Sequence, residues 1–119
     1  MSIAARPDSP NRPKGMFSAG EVSRLCGVPH RTVDFWARMK VVVPDIEAQG
    51  AGTDRWYSAD SVVAVMICGK VGLSLTNRRQ LVEAFRADPW PPHGILRYRI
   101  SPMLEVFVNV ARIRVEVTR

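Results

Sequence analysis

Arg31 and Arg38 are the residues of this sequence best suited to binding an anion. Arginine presents a planar fork of N–H donors that matches a phosphate group or the edge of a guanine base. Residues 30–39 fit a helix whose outer face, at spacings of three and four residues, carries Arg31, Asp34, Phe35 and Arg38. We expect this face to contact a nucleic acid, and for Phe35 we favour partial burial over contact with DNA.

Four further residues extend this prediction. His30 can reach a base or a phosphate at the start of the same helix, and the Thr32 hydroxyl can either bond a phosphate or cap the helix. Arg78 and Arg79 put positive charge at the start of a later predicted helix, where the helix dipole disfavours it. We therefore interpret these two arginines as phosphate ligands rather than as stabilising residues.

The residues that usually carry out catalysis or bind metals are scattered. Cys26 and Cys68 lie far apart, and no ligand spacing joins them to His30 or His93. The sequence has no glycine-rich phosphate loop and no recognisable acid–base pair of carboxylates. We expect no catalytic residue, no metal and no cofactor, and we interpret both thiols as core groups.

Composition and charge favour an acidic polymer as the partner. The net charge is +6 over 119 residues, and neutralisation of phosphates by Lys and Arg is the sequence-independent part of nucleic-acid binding. Residues 17–85 nevertheless hold eight basic and seven acidic residues, so the placement of the arginines matters more than their total. No apolar run reaches the roughly 20 residues of a membrane span, and residues 1–15 contain no secretory signal. We therefore expect a cytoplasmic protein that does not associate with a membrane.

Two short helices are predicted to position the basic face. Ser18 and Glu21 have the spacing of a capping box, which begins the first helix, and Gly27 ends it. A tight turn leads into the second helix, from about His30 to Met39. The inward positions of that helix are Val33, Trp36 and Ala37. The pair is typical of a helix-turn-helix.

A wing and two more helices follow. Residues 46–54 are loop-like, with glycines at positions 50 and 52, and the β-prone residues 55–57 complete a predicted wing. Ser58 can cap a third helix that runs to about Gly69. Either Ser74 or Thr76 can cap a fourth, which runs to about Phe85.

The C-terminal third has a different pattern. Residues 87–94 contain three prolines, which favours a linker. Apolar residues then alternate with polar ones in two runs, a pattern that predicts a β-hairpin. The apolar positions are Leu96, Tyr98 and Ile100 in the first run and Val106, Val108 and Val110 in the second. Residues 111–118 fit both a strand and a helix, and we favour a short helix capped by Asn109.

Four segments, taken in order, resemble the DNA-binding domain of the MerR family. They are FSAGEVSRLCGV at 17–28, RTVDFW at 31–36, RWYSAD at 55–60 and GLSL at 72–75. The resemblance implies a mainly α fold, a winged helix-turn-helix of four helices whose second helix enters the major groove of double-stranded DNA. It also implies that Arg55, at the end of the wing, contacts the DNA backbone.

Departures from the family pattern shape the functional prediction. Asp34 stands where family members usually carry a basic residue, and Phe35 and Trp36 stand where they carry paired tyrosines. Asp34 can accept a hydrogen bond from a cytosine amino group, although its charge costs affinity among phosphates. We find no counterpart of the long dimerisation helix or of the sensor domains of typical members, so we expect no small-molecule effector. Short MerR-like and excisionase-like proteins are similar in layout.

The sequence therefore predicts a sequence-specific DNA-binding protein, acting as a transcriptional regulator. We expect a flexible arm at 1–15, the MerR-like domain at 16–86, the linker at 87–94, and a hairpin with a short tail at 95–119. The hairpin can pack on the third and fourth helices of its own chain, giving a monomer, or on a second copy, and we favour a homodimer. Two alternatives stay open: an excisionase-like architectural protein in recombination, and a protein-interaction module that uses the same fold.

Overall fold

The computed structural model describes residues 12–47 and 55–117, and in these ranges it has five α-helices and two small antiparallel sheets. The helices are α1 (Ala19–Cys26), α2 (His30–Arg38), α3 (Ala59–Lys70), α4 (Leu75–Ala87) and α5 (Val110–Val117). The strands are β1 (Phe17–Ser18), β2 (Trp56–Tyr57), β3 (Ile95–Ser101) and β4 (Leu104–Asn109), and a single 3-10 turn, Pro92–Gly94, precedes β3. The mainly helical fold class is confirmed. None of the described helices has the length and apolar character needed to cross a membrane.

The start and end of α1 follow from local chemistry. Ser18 Oγ accepts the Glu21 N–H at 3.3 Å, and the Glu21 carboxylate accepts the Ser18 N–H at 2.9 Å, so the predicted capping box is confirmed. Gly27 ends the helix in the left-handed conformation, with a φ of 67°. Ser23 Oγ then donates to the Val28 carbonyl at 2.6 Å. This bond fixes the turn that leads into α2.

α3 is the central helix of the domain. Every residue from 61 to 68 is buried, which is the pattern of a helix surrounded by other elements. α1 and α4 pack on it, and its N-cap is Ser58, as predicted. Ser61 is the buried polar residue of this helix: its hydroxyl donates to the Asp45 carboxylate and accepts from Arg86 at 3.0 Å. The buried hydroxyl of Ser61 is therefore satisfied.

The short strands β1 and β2 close the side of the helix-turn-helix. Phe17 pairs with Tyr57 and Ser18 with Trp56, and an isolated bridge joins Ile46 to Trp56. These contacts bring together the two ends of the predicted wing, which we define as residues 46–57. Its tip, residues 48–54 with both glycines, lies outside the described residues.

The C-terminal hairpin and helix are confirmed. β3 pairs antiparallel with β4, and Asn109 Oδ1 accepts the Arg112 N–H at 3.0 Å at the start of α5. Val110, predicted as the last position of the second strand, is instead the first residue of α5, where it is buried. Ser74, rather than Thr76, caps α4.

The apolar side of the hairpin is covered by the protein's own helices. Leu96 and Val108 are buried, and the Tyr98 hydroxyl donates to Gln80 of α4 at 2.7 Å. α5 packs along α3, with Val110, Ile113 and Val117 buried. A second copy is therefore not needed to cover this side, which removes the reason that the sequence offered for a dimer. The homodimer itself stays a prediction.

Arg114 holds α5 and the predicted linker against the domain. Its guanidinium lies 2.9 Å from the Asp60 carboxylate, donates to the Pro89 carbonyl at 2.7 Å and stacks 3.8 Å from the centre of the Trp90 ring. The Arg114 side chain is only 12% exposed. The C-terminal third is thus anchored to α3 by charge and stacking as well as by apolar packing.

Candidate nucleic-acid interface

α2 presents the predicted polar face to solvent. His30, Arg31 and Arg38 are exposed, and Thr32 and Asp34 are partly exposed. The opposite face is buried through Val33, Trp36 and Ala37. The separation of the two faces is as predicted, because the inward side chains follow the spacing of three and four residues.

The start of α2 leaves backbone donors available. Pro29 is the N-cap, and its carbonyl accepts the N–H groups of Thr32 and Val33 at 2.9 and 3.1 Å. No side chain caps this end, so the capping role considered for the Thr32 hydroxyl is not observed. The first N–H groups of a helix have no intrahelical partner and attract anions. The exposed His30 and Arg31 lie at this end of α2.

Phe35 and Arg38 form a pair one turn further along. The Arg38 guanidinium lies 6.0 Å from the centre of the Phe35 ring, within the range of a cation–π contact. Phe35 is 38% exposed, which places it among the exposed large apolar side chains, so it is less buried than expected. Lys40 follows with a φ of 61° and an exposed side chain. The C-terminal end of α2 is therefore also basic.

Arg55 binds two carboxylates at the base of the predicted wing. Its Nη1 lies 3.2 Å from Asp34 of α2, and its Nε donates to Glu47 at 3.0 Å. The hydrogen bond that Arg55 donates to Glu47 raises the pKa of Arg55, against the smaller effect of burial, so the guanidinium stays charged. The negative charge of Asp34, unexpected on this face, is thus compensated within the protein. No local sequence signal points to this contact, since Asp34 and Arg55 are 21 positions apart.

The structure corrects the interpretation of Arg78 and Arg79 as poor for stability. The Arg78 guanidinium donates to the carbonyls of Cys68, Val71 and Leu73, which lie at and just beyond the end of α3. Arg79 Nη2 donates to the Met39 carbonyl, at the end of α2, at 2.8 Å. The two arginines lie near the start of α4 but bind carbonyls at the C-terminal ends of α3 and α2, where positive charge is favourable.

Arg12 makes contacts with Glu21 and Trp56 that the sequence did not predict. Its guanidinium lies 2.7 Å from the Glu21 carboxylate and 5.7 Å from the centre of the Trp56 ring. Burial acts to raise the pKa of Glu21, but the bonds from Arg12 and Ser18 together outweigh it, and the pKa is lowered. The chain that enters the domain is therefore fixed at Arg12, within the arm predicted at 1–15. Residues 1–11 of that arm lie outside the described residues.

The two cysteines have the properties of core thiols, as predicted. Cys68 is fully buried, and the Cys26 thiol donates to the Val62 carbonyl at 3.4 Å. Burial raises the pKa of each thiol to about 12, so both stay protonated and unreactive near neutral pH. Within residues 12–47 and 55–117, no three side chains of the metal-ligand types come together.

Comparison with known proteins identifies the central segment. The sequence model of the MerR helix-turn-helix family of regulatory proteins matches residues 17–80. Proteins of Mycobacterium bovis and Mycobacterium tuberculosis, each described as an uncharacterized HTH-type transcriptional regulator, are 36% identical to this chain over 67 residues. The match covers 53% of this chain but only 30% of each relative. The family match ends inside α4, so the hairpin and α5 lie beyond it.

Proposed function

Because the chain belongs to the MerR helix-turn-helix family of regulatory proteins, we propose that it binds double-stranded DNA in a sequence-specific way and regulates transcription. The relatives named as HTH-type transcriptional regulators support this proposal. The observation that carries it is the outer face of α2, where His30, Arg31 and Arg38 are exposed while the inner face is locked in the core. In a helix-turn-helix, the second helix is the one that enters the major groove.

Each exposed residue of α2 has a place in this proposal. Arg31 and the free N–H groups at the start of the helix bind a phosphate or a base, and His30 and Thr32 add polar contacts there. Arg38, at the other end of the helix, reaches a base edge or the opposite backbone. Phe35 supports Arg38 through its ring and offers apolar contact.

Asp34 contributes base selection rather than affinity. A carboxylate has about four lone-pair positions, so the bond to Arg55 leaves it able to accept from another donor. In the major groove, the exposed amino donor of cytosine is the group that Asp and Glu recognise. Arg55 holds Asp34 in place and offsets its charge, and it also supplies the contact to the DNA backbone that the family resemblance implies.

Residues 95–117 serve assembly in this proposal rather than effector binding. A single helix-turn-helix reads a short site, and two copies on two half-sites gain specificity. The hairpin exposes large apolar side chains on its outer side and at its tip, beyond the reach of α3 and α4. They are Met103, Leu104 and Phe107, with exposures of 88%, 61% and 63%. We propose that two copies pair through this part of the hairpin.

The experiment that tests the DNA-binding proposal is selection of duplexes from a random library by the full chain. We expect enrichment of a common motif, and binding of the enriched duplex at least about a thousandfold tighter than binding of an unrelated one. Enrichment without a motif would indicate an architectural protein of the excisionase kind. Failure to bind any duplex at low salt would contradict DNA binding and favour the protein-interaction module.

A further inference from the structure

We propose that Arg78 and Arg79 are positioning residues that hold the C-terminal half of α2 in its DNA-reading orientation, and that neither residue neutralises a DNA phosphate. This inference rests on the proposed function, because it states how the reading helix is kept in place. It departs from the sequence-based expectation that both arginines bind phosphates.

Arg78 uses each of its guanidinium nitrogens inside the protein. Nε donates to the Cys68 carbonyl at 3.1 Å, Nη2 to the Val71 carbonyl at 2.8 Å, and Nη1 to the Leu73 carbonyl. The last carbonyls of a helix have no intrahelical partner and carry the negative end of its dipole. Arg78 therefore caps α3 and fixes the turn between α3 and α4 with one side chain.

The same guanidinium also touches α2. It lies 5.4 Å from the centre of the Trp36 ring, on the buried face of that helix. Trp36 is 5% exposed, and its carbonyl accepts the Val41 N–H at 2.8 Å where the chain leaves α2. A change in the position of the Trp36 side chain therefore moves the turn of α2 that carries Arg38.

Arg79 holds the end of α2 from the adjacent position. Its Nη2 donates to the carbonyl of Met39, which is the C-cap residue of α2. Arg78 therefore contacts the buried side of α2, and Arg79 its terminal carbonyl. Together they couple the start of α4 to the end of the helix that carries Arg31 and Arg38.

Movement of the Arg78 guanidinium out of this site towards a phosphate would break these bonds. A carbonyl shielded from water that loses its donor destabilises the protein, and Arg78 serves three carbonyls. Lysine carries the same charge but cannot reproduce the planar fork or the stacking on a ring. Replacement by lysine therefore separates positioning from charge.

The test compares Arg78→Lys and Arg78→Gln with the wild-type full chain. The probes are a duplex that the wild-type protein has selected and an unrelated duplex of the same length, titrated over a range of salt concentrations. We expect both variants to lose about tenfold or more in affinity for the selected duplex, with the salt dependence on the unrelated duplex unchanged. Arg79→Lys and Arg79→Gln are expected to behave in the same way with a smaller loss.

Other outcomes overturn the proposal. If Arg78→Lys binds like the wild type while Arg78→Gln lowers the logarithmic salt slope by about 0.9, Arg78 is a phosphate ligand. If both variants melt at a lower temperature but bind the selected duplex like the wild type when folded, its role is structural only. If neither Arg78 variant folds, Arg79→Lys and Arg79→Gln are compared in the same way, and the same outcomes support or overturn the proposal.

A second measurement keeps the inference separate from the proposed function. We expect Arg78→Lys to shift the NMR signals of the Trp36 indole N–H and of the α2 backbone amides, while those of the first turn of α1 stay in place. Unchanged α2 signals would contradict the positioning role. This result can be obtained even if the wild-type protein binds no duplex, which would refute the proposed function alone.

Discussion

The guanidinium of Arg55 lies 3.2 Å from the carboxylate of Asp34, which joins the base of the predicted wing to the outer face of α2. The same guanidinium donates to Glu47, on the other side of the predicted wing. An acidic residue on the face that we propose to read DNA is therefore compensated by the arginine expected to meet the backbone. Asp34 and Arg55 therefore act together, and we expect substitution of each to change DNA binding in a different way.

Removal of Asp34 should increase general affinity for DNA and reduce selectivity. In Asp34→Ala the positive charge of Arg55 is no longer balanced by a carboxylate on α2, so we expect tighter binding to unrelated duplexes. Loss of a base contact should also remove about 1 to 3 kcal/mol of discrimination at one base pair of the selected motif. Repeating the library selection with this variant measures both effects.

Glu47→Gln is the matched control for Asp34→Ala. It also removes a carboxylate partner of Arg55, but from the predicted wing rather than from α2. We expect tighter general binding without any change in the selected motif. An unchanged motif in Asp34→Ala would show that Asp34 reads no base.

Arg55→Ala should weaken binding to unrelated sequences by a similar factor. The variant loses one phosphate contact and leaves Asp34 and Glu47 uncompensated near the DNA. We expect the slope of the logarithm of affinity against the logarithm of salt concentration to become shallower by about 0.9. Salt titrations on two unrelated duplexes measure this slope, and a loss confined to one of them would argue against a backbone contact.

Acid sensitivity should depend on the ion pair of Glu21 with Arg12. The pKa of Glu21 is lowered in the folded protein, so its charged form contributes stability above the ordinary glutamate pKa of about 4.3. This contribution is lost as the pH falls through the lower folded value. We expect Glu21→Gln to lower the melting temperature at neutral pH and to flatten its decline in acid. Glu83→Gln, at an exposed position of α4, serves as the control, and an unchanged acid profile in Glu21→Gln would contradict this account.

Self-association should depend on the outer side of the hairpin. Deletion of the C-terminal segment is not a clean test, because Val110, Ile113 and Val117 belong to the core. The double substitution Leu104→Ser and Phe107→Ser changes exposed side chains instead. We expect it to halve the mass measured by light scattering and to weaken binding to a duplex with two half-sites far more than to a single half-site.

Val115→Ser is the control for this pair, because Val115 is 58% exposed on α5. The control should keep the mass and the affinity of the wild type. A wild-type chain that is monomeric at high micromolar concentration, both free and on DNA, would rule out the homodimer.

The features that could be predicted from the sequence are those that local signals encode. The Ser18–Glu21 capping box, the glycine that ends α1 and the Asn109 cap of α5 each depend on side chains within a few positions of one another. The buried face of α2 follows from spacing alone. Sequence periodicity therefore located the helices, the hairpin and the polar face of α2.

The contacts that could not be predicted join residues far apart in the chain. Arg78 looks unfavourable at the start of α4, and its role becomes visible only when the end of α3 lies beside it. The Arg114–Asp60 pair and the Arg55–Asp34 pair likewise depend on packing. A local pattern gives the sign of a charge but not its partner, so it could not show that Arg55, Arg78 and Arg114 bind groups within the protein.

The central claim is that the exposed face of α2 reads DNA. Its most direct test measures how tightly the variants Arg31→Ala and Arg38→Ala bind the duplex that the wild-type protein selects. Both side chains are exposed and lie opposite the buried face, so the fold should be retained. We expect each variant to lose about 1 to 3 kcal/mol of binding free energy. Arg112→Ala, which removes the same charge from an exposed position on α5, should bind like the wild type. Wild-type affinity in both α2 variants would contradict the account.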